Sequence, residues 1–157
     1  MRMSLLHLSI NADTPEEVAN FLAHIMGGVA MPFPPFPDCW IAFAERDDGT
    51  AIEVYPTTHV LKPGPEQVAC EIEERDAKPT FAHVALCAKL NQSEIISSAD
   101  ELGWRARICN RGPFECVEVW LENRLLVELL DDEMQRDYRN GMTVANWAAM
   151  FGLDQRS

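Results

Sequence analysis

Two histidine-to-glutamate spacings of nearly equal length occur in this sequence. His7 lies 46 positions before Glu53 (53 − 7), and His83 lies 45 positions before Glu128 (128 − 83). Imidazole and carboxylate groups together are common ligands of divalent transition metals. The sequence therefore predicts two equivalent His/Glu pairs with the chemistry of a metal site.

Each of these four residues lies in a short apolar run typical of a half-buried strand: LLHLSI, AIEVYP, FAHVAL and LLVELL. Alternate side chains of a strand face opposite sides of a sheet. In every run one face is wholly aliphatic, and the His or Glu belongs to the other. A glutamate flanked on its own face by Leu126 and Leu130 is costly unless it is paired, protonated or bound to a cation. We expect helices on the aliphatic faces and a cavity on the polar side.

The types of ligand indicate which class of metal ion the site would bind. Two neutral imidazoles and two carboxylates provide four ligands with a net charge of about −2, which suits an octahedral first-row ion with two positions left for water. Ni²⁺, Zn²⁺, Mn²⁺, Fe²⁺ and Co²⁺ all satisfy this requirement. The predicted cofactor is therefore one divalent transition metal, and its identity stays open.

The elements around the first pair follow the order β-α-β-β-β. Residues 14–17 (TPEE) form a capping-box pattern with proline at the first helical position, and Gly27 ends the predicted helix. A weak strand near residues 28–31 follows, and an Asp-Gly turn then joins CWIAFAE to AIEVYP as a hairpin. The segment MPFPPFP lies between the weak strand and CWIAFAE. It predicts a rigid loop that either flanks a pocket or forms a subunit contact.

The second half repeats this order at an offset of about 76 residues. A strand at FAHVALC, a helix over NQSEIISSADELG and three further strands correspond to the first half. We predict an α+β fold in which two tandem βαβββ modules form a single 157-residue domain. The predicted parts are a first module at 1–56, a connector at 57–79, a second module at 80–131 and a C-terminal helical extension at 132–157, with a helix over VANWAAMFG.

Composition limits the possible partners. The chain has 13 basic and 25 acidic residues and a net charge of −12, which disfavours nucleic acid. No apolar run has the length of a membrane span or the form of a signal peptide. Five cysteines without a CxxC pair indicate reduced, packed thiols. We therefore expect a cytoplasmic protein that binds a small molecule, with no nucleic-acid or membrane partner.

The ordered combination of HLSINADTPEEVANFL, IEVYP and the later strands carrying His83 and Glu128 resembles the vicinal oxygen chelate superfamily. That superfamily includes glyoxalase I, bleomycin-resistance proteins and extradiol dioxygenases. The resemblance implies paired modules curled into a cup with helices outside and one metal inside. It places the metal ligands at His7, Glu53, His83 and Glu128. The filled ligand set is most similar to glyoxalase I and the epimerases, which implies a lyase or isomerase that abstracts a proton beside a carbonyl, with Glu128 or Glu53 as the base.

Three further alternatives stay open. The chain could be a non-catalytic protein that sequesters a small molecule, as bleomycin-resistance proteins do, or an extradiol-type dioxygenase. Arg105, Arg107 and Arg111 could hold an anionic substrate or mark an exposed strand face. The apolar face of the C-terminal helix needs a cover, so a homodimer is expected, and the cup could close within one chain or between two. His24 and His59 are both expected at the surface.

Overall fold

The computed structural model of the chain describes residues 6–46, 48–74 and 78–153. It divides into two compact units, Met1–Phe81 and Ala82–Ser157. Each unit contains one four-stranded mixed sheet with helices. The predicted α+β class is confirmed.

The first unit begins with the predicted βαβββ order. Its elements are β1 (His7–Ala12), α1 (Pro15–Met26), β2 (Val29–Pro32), β3 (Trp40–Phe43) and β4 (Ala51–Pro56). The strands lie in the order β1-β4-β3-β2. The first and last strands of the module, β1 and β4, are parallel neighbours, whereas the other pairs are antiparallel. This arrangement brings the strands of His7 and Glu53 side by side.

Helix α1 packs against the aliphatic side of this sheet. Val18 and Ile25 are fully buried, as is Val54 of β4, and α1 contacts β2, β3 and β4. Pro15 occupies the first turn as predicted, and Gly27 ends the helix in the left-handed conformation with φ 71°. The Thr14 side chain makes no capping bond to the backbone and donates instead to the Glu17 carboxylate at 3.4 Å.

Residues 57–79, predicted as a connector, contain an additional antiparallel hairpin. Its strands are β5 (His59–Pro63) and β6 (Val68–Ile72). The Asn11 amide of β1 donates to the carbonyl oxygens of Pro56 and His59 at 3.0 and 3.1 Å. These bonds fix the start of the hairpin beside β1, where it forms one wall of a cavity described below.

The second unit repeats the module and adds two helices. Its elements are β7 (Val84–Cys87), α2 (Gln92–Glu101), β8 (Ala106–Asn110), β9 (Glu115–Leu121), β10 (Leu125–Leu130), α3 (Asp132–Gly141) and α4 (Val144–Phe151). The strand order β7-β10-β9-β8 matches that of the first unit, again with a parallel pair of first and last strands. His83, predicted inside a strand, lies one residue before β7.

Local capping residues explain where the helices of the second unit begin. Asn91 and Glu94 form a complete capping box at the start of α2, and Ile95 and Ala99 are its fully buried residues. The Asp131 carboxylate caps α3, a helix whose polar sequence the apolar pattern did not reveal. Helix α4 coincides with the predicted C-terminal helix. None of the helices in the described ranges has the length and apolar character needed to cross a bilayer.

Candidate functional site

The register of the first sheet relates His7 to Glu53. Ser9 of β1 lies directly opposite Glu53 of β4, and His7 precedes Ser9 by two residues. Because side chains alternate along a strand, His7, Ser9 and Glu53 belong to the same face of the sheet. The other face carries Ile52 and Val54, which are 3% and 0% exposed. The predicted separation of polar and aliphatic faces is therefore confirmed in this unit.

The second sheet has the same register. Glu128 of β10 lies opposite Ala85 of β7, and His83 precedes Ala85 by two residues. Val127 and Leu129 of β10, on the opposite face, are 1% and 0% exposed. Each unit thus offers one exposed histidine and one glutamate in the same relation along a parallel strand pair.

Two neutral hydroxyl groups hold the carboxylate of Glu53. The Ser9 hydroxyl and the Tyr55 phenol both donate to its Oε2 atom at 2.9 Å. Burial and the hydrogen bond to Glu53 raise the pKa of Tyr55, so the phenol keeps its proton and remains a donor. In the described part of the chain, no hydrogen bond reaches the Oε1 atom.

The proline-rich segment supports this arrangement. The rings of Phe33 and Phe36 lie 6.0 and 5.6 Å from the ring of Tyr55, in edge and tilted orientations. The segment therefore packs against the residue that orients Glu53. Of the two roles considered for MPFPPFP, flanking a pocket is the one that these contacts favour.

Glu128 is held differently, by a charged network. Glu118 of β9 lies directly opposite Glu128, and both glutamates are buried, at 4% and 7% exposed. Arg111 bridges the two: its Nε donates to Glu128 Oε1 at 2.8 Å and its Nη2 to Glu118 Oε1 at 2.5 Å. Arg107 Nε donates to Glu118 Oε2 at 2.6 Å. We call these four residues the arginine–glutamate cluster.

The two guanidinium groups balance the two carboxylates. Burial opposes the charge of Glu118, but the hydrogen bonds from Arg111 and Arg107 outweigh it and lower the carboxyl pKa to about 2. The same contacts raise the pKa of Arg111. Arg107, at 70% exposed, lies on the exposed strand face considered for it and also pairs with Glu118, whereas the Arg111 side chain, at 32% exposed, bridges the two glutamates. Their contacts are with buried glutamates.

The carboxylate oxygens of both glutamates are of the type that binds a metal ion. Each carboxylate has one oxygen engaged by the protein and one that accepts no hydrogen bond from the described residues. Hydrogen bonding to the non-ligating oxygen is how proteins commonly orient carboxylate ligands. Within either unit, no three His, Cys, Asp or Glu side chains of ranges 6–46, 48–74 and 78–153 are grouped to hold an ion.

Sequence reasoning missed one residue near Glu53. His59, expected at the surface, is half-buried, and its ring lies 6.2 Å from that of Tyr55. Its Nδ1 atom is buried without a hydrogen-bond partner in the described structure, an arrangement that typically costs about 1–3 kcal/mol. No motif marked it, because its position depends on the unpredicted hairpin. His24, by contrast, is exposed on α1 as expected.

A cavity of about 660 Å³ lies in the second unit. Arg105 and Arg107 line it together with the indole rings of Trp104 and Trp120. Its shape depends on the turn at Asn123, whose side chain accepts from the Arg105 backbone and donates to the carbonyl of residue 103. None of the four predicted metal ligands lines this cavity.

The chain resembles known proteins in its three-dimensional structure but not in its sequence. No protein-family model and no curated protein sequence matches the chain. The fosfomycin resistance protein FosX from Listeria monocytogenes superposes with a TM-score of 0.54 at 13% identity, covering 87% of this chain and 99% of that one. A putative glyoxalase family protein from Bacillus anthracis gives a TM-score of 0.53 at 14% identity, covering 83% and 96%.

FosX from Mesorhizobium loti has a similar score, with a TM-score of 0.51 at 10% identity and coverage of 82% of this chain and 92% of that one. These matches extend over both modules rather than one. The element order, the parallel first and last strands of each module and these neighbours agree. The chain therefore has the fold of these fosfomycin-resistance and glyoxalase-family structures, with two βαβββ modules.

Proposed function

We propose that the chain is a metal-dependent enzyme of the glyoxalase type, a lyase or isomerase acting on a small oxygenated substrate. His7, Glu53, His83 and Glu128 together hold one divalent transition-metal ion in this proposal. The observation that carries it is the repeated register, in which each glutamate lies opposite the residue two positions after a histidine. A purely structural sheet face has no need to repeat both residue types in this relation.

Two further findings support a metal. One oxygen of each glutamate is oriented by protein donors while the other stays open, as a ligating carboxylate requires. FosX from Listeria monocytogenes, which shares the fold, has been solved with Mn(II) and sulfate. The ligand set accepts Ni²⁺, Zn²⁺, Mn²⁺, Fe²⁺ or Co²⁺, and the proposal covers all five.

The two glutamates have different roles in this proposal. When bound, the ion supplies a Lewis acid that polarises vicinal oxygens of the substrate. Glu53 would leave the ion to take the substrate proton at its Oε1 atom, while Ser9 and Tyr55, both neutral donors, keep hold of its Oε2 atom. The Glu128 carboxylate is ion-paired with Arg111 through its Oε1 atom, so its role in this proposal is that of a ligand.

Elemental analysis tests the proposal directly. Protein purified without chelator or histidine tag is expected to contain about one equivalent of a transition metal per chain. The His7→Ala, His83→Ala double variant should lose it, since it removes both imidazoles. The matched control is His24→Ala, which removes an exposed imidazole on α1 and should leave the metal content unchanged.

Failure of the wild-type protein to bind metal would contradict the proposal. Wild-type protein that binds none of the five metals after loading, with its fold intact by circular dichroism, would exclude the metal-dependent reaction. Equal loss of metal in the His24→Ala control would instead show non-specific surface binding. Activity on methylglyoxal with glutathione is a separate assay, and we expect none.

A second candidate is a non-catalytic protein that sequesters a small molecule. The observation favouring it is the cavity of about 660 Å³, which none of the four proposed ligands lines. Its two indole rings and two arginines could hold an aromatic or anionic compound. This alternative predicts tight ligand binding by metal-free protein and no turnover.

A further inference from the structure

A second cavity, of about 370 Å³, lies beside Glu53 in the first unit. It is bounded by residues 9–11 of β1, by residues 59–61 of β5 and by Tyr55 of β4. The hairpin that carries β5 is tied to β1 through the Asn11 amide. Hydrogen bonding therefore holds the two walls of the cavity together, and one of these walls is a hairpin outside the repeated module.

The two residues that orient Glu53 also line this cavity. Ser9 and Tyr55 both donate to Glu53 Oε2, and both form part of the cavity wall. A molecule in the cavity would therefore contact the two residues that hold the Glu53 carboxylate. His59 lines the same cavity and holds a buried Nδ1 atom without a hydrogen-bond partner in the described ranges.

The lining chemistry selects one class of ligand. Ile10, Val60 and Leu61 present hydrocarbon, whereas the polar groups are hydroxyls, an amide and the His59 imidazole. No lysine, arginine or carboxylate is among the described lining residues, and the nearby Glu53 charge repels anions. Lys62, the nearest cation along β5, is ion-paired with Glu71 and Glu73 at 2.6 and 2.5 Å.

We propose that this cavity binds a small uncharged alcohol or phenol, whose hydroxyl group bonds to His59 and whose hydrocarbon body contacts Ile10, Val60 and Leu61. The proposal requires the imidazole to turn about its Cβ–Cγ bond, so that the buried Nδ1 atom reaches the ligand and gains the partner that it lacks. His59 is in this view a specificity residue. The link to catalysis rests on the proposed function, but binding itself does not.

Phenol is a suitable probe because it is uncharged at pH 7, and benzoate is its anionic counterpart. The amide signal of Leu61 in ¹⁵N-labelled protein can be followed by NMR, in the presence of chelator so that metal plays no part. Phenol is expected to shift this signal saturably, and benzoate to bind at least about tenfold more weakly.

Two variants and one matched control decide the assignment. His59→Ala removes the imidazole, and Val60→Phe fills the cavity; each should weaken phenol binding at least about fivefold. Val68→Phe makes the same change on β6 at a residue that is 64% exposed and outside the cavity, and should leave binding unchanged. Using two variants guards against loss of binding through misfolding, which the Leu61 region of the spectrum would reveal.

Several results would overturn the inference. These are a Leu61 shift no larger than that of His24 on α1, equal binding of phenol and benzoate, or binding unaffected by both His59→Ala and Val60→Phe. Because chelator is present throughout, a failure here leaves the metal proposal standing. Conversely, phenol binding by a chain that never binds metal would support the cavity and reject the enzyme.

Discussion

Replacing Arg111 by glutamine gives the most direct test of the arginine–glutamate cluster. Arg111 forms ion pairs with both Glu118 and Glu128. Without its guanidinium, the two buried carboxylates face each other across β9 and β10, with Arg107 balancing Glu118 alone. One buried carboxylate is then uncompensated.

The magnitude follows from burial. Removing one partner of a buried ion pair costs about 3–5 kcal/mol. The Arg111 side chain is 32% exposed, so solvent already screens part of this interaction. We therefore expect Arg111→Gln to lower the free energy of unfolding by about 2–3 kcal/mol at pH 7.

The pH dependence has a definite sign. Arg111 is one of the groups that lower the pKa of Glu118 to about 2, so without it the Glu118 carboxyl binds a proton at higher pH and the repulsion is relieved as the pH falls toward 4. The deficit of Arg111→Gln relative to wild type should therefore shrink to about 1 kcal/mol at pH 4. Urea unfolding of chelator-treated protein, followed by circular dichroism at both pH values, measures this change.

Arg46→Gln is the matched control, because Arg46 pairs with Asp48 at 3.5 Å with side chains 81% and 43% exposed. It should change stability by less than about 0.5 kcal/mol at either pH. An Arg111→Gln deficit that is equally large at pH 7 and pH 4 would refute the electrostatic reasoning and indicate lost packing. A deficit as small as that of Arg46→Gln would show that the cluster contributes nothing.

Further predictions concern acid stability, metal affinity and assembly. The folded-state pKa of Glu118 is lowered to about 2, so its contribution to stability is complete above about pH 4.5 and is lost as the pH falls toward 2; Glu118→Gln should flatten this part of the urea-midpoint profile. Tyr55→Phe removes one of the two donors that orient Glu53 and should weaken metal binding about 10- to 100-fold, measured by competition with a chelating dye. The same change at Tyr138, a half-buried ring of α3 that packs against Phe114, should not. Helix α4 leaves Trp147 and Phe151 45% and 55% exposed, so we expect a homodimer by light scattering that Trp147→Glu converts to monomer; a wild-type monomer would contradict this.

Sequence patterns predicted the repeated module well, because each of its strands alternates on one aliphatic face. Ile52 and Val54, for example, are buried beneath α1, while Glu53 between them is not. The turn and cap residues, such as Gly27, also act locally and are readable in the sequence. Helix α3 was less visible, since only Met134 of its residues is buried.

Side-chain contacts that depend on the register of paired strands were not predictable from the sequence. The Arg111–Glu128 bond joins residues 17 positions apart and depends on the register of β9 against β10. His59 likewise owes its half-buried position to a hairpin whose strands carry a proline and charged residues rather than clear alternation. The four proposed ligands came from spacing and parity, and their joint binding of one ion stays a prediction.

The parallel pairing of β1 with β4, and of β7 with β10, has a consequence for folding. Ser9 and Glu53 meet across a separation of 44 residues, whereas the hairpins and helices of the same unit close over much shorter loops. Closing a long loop costs more chain entropy, so the parallel ladder is expected to form late. In both sheets the histidine-bearing end belongs to an edge strand, β1 or β7. Each His/Glu pair is therefore assembled only when its module has finished folding, and an ion held there would fasten the strand that is otherwise first to fray.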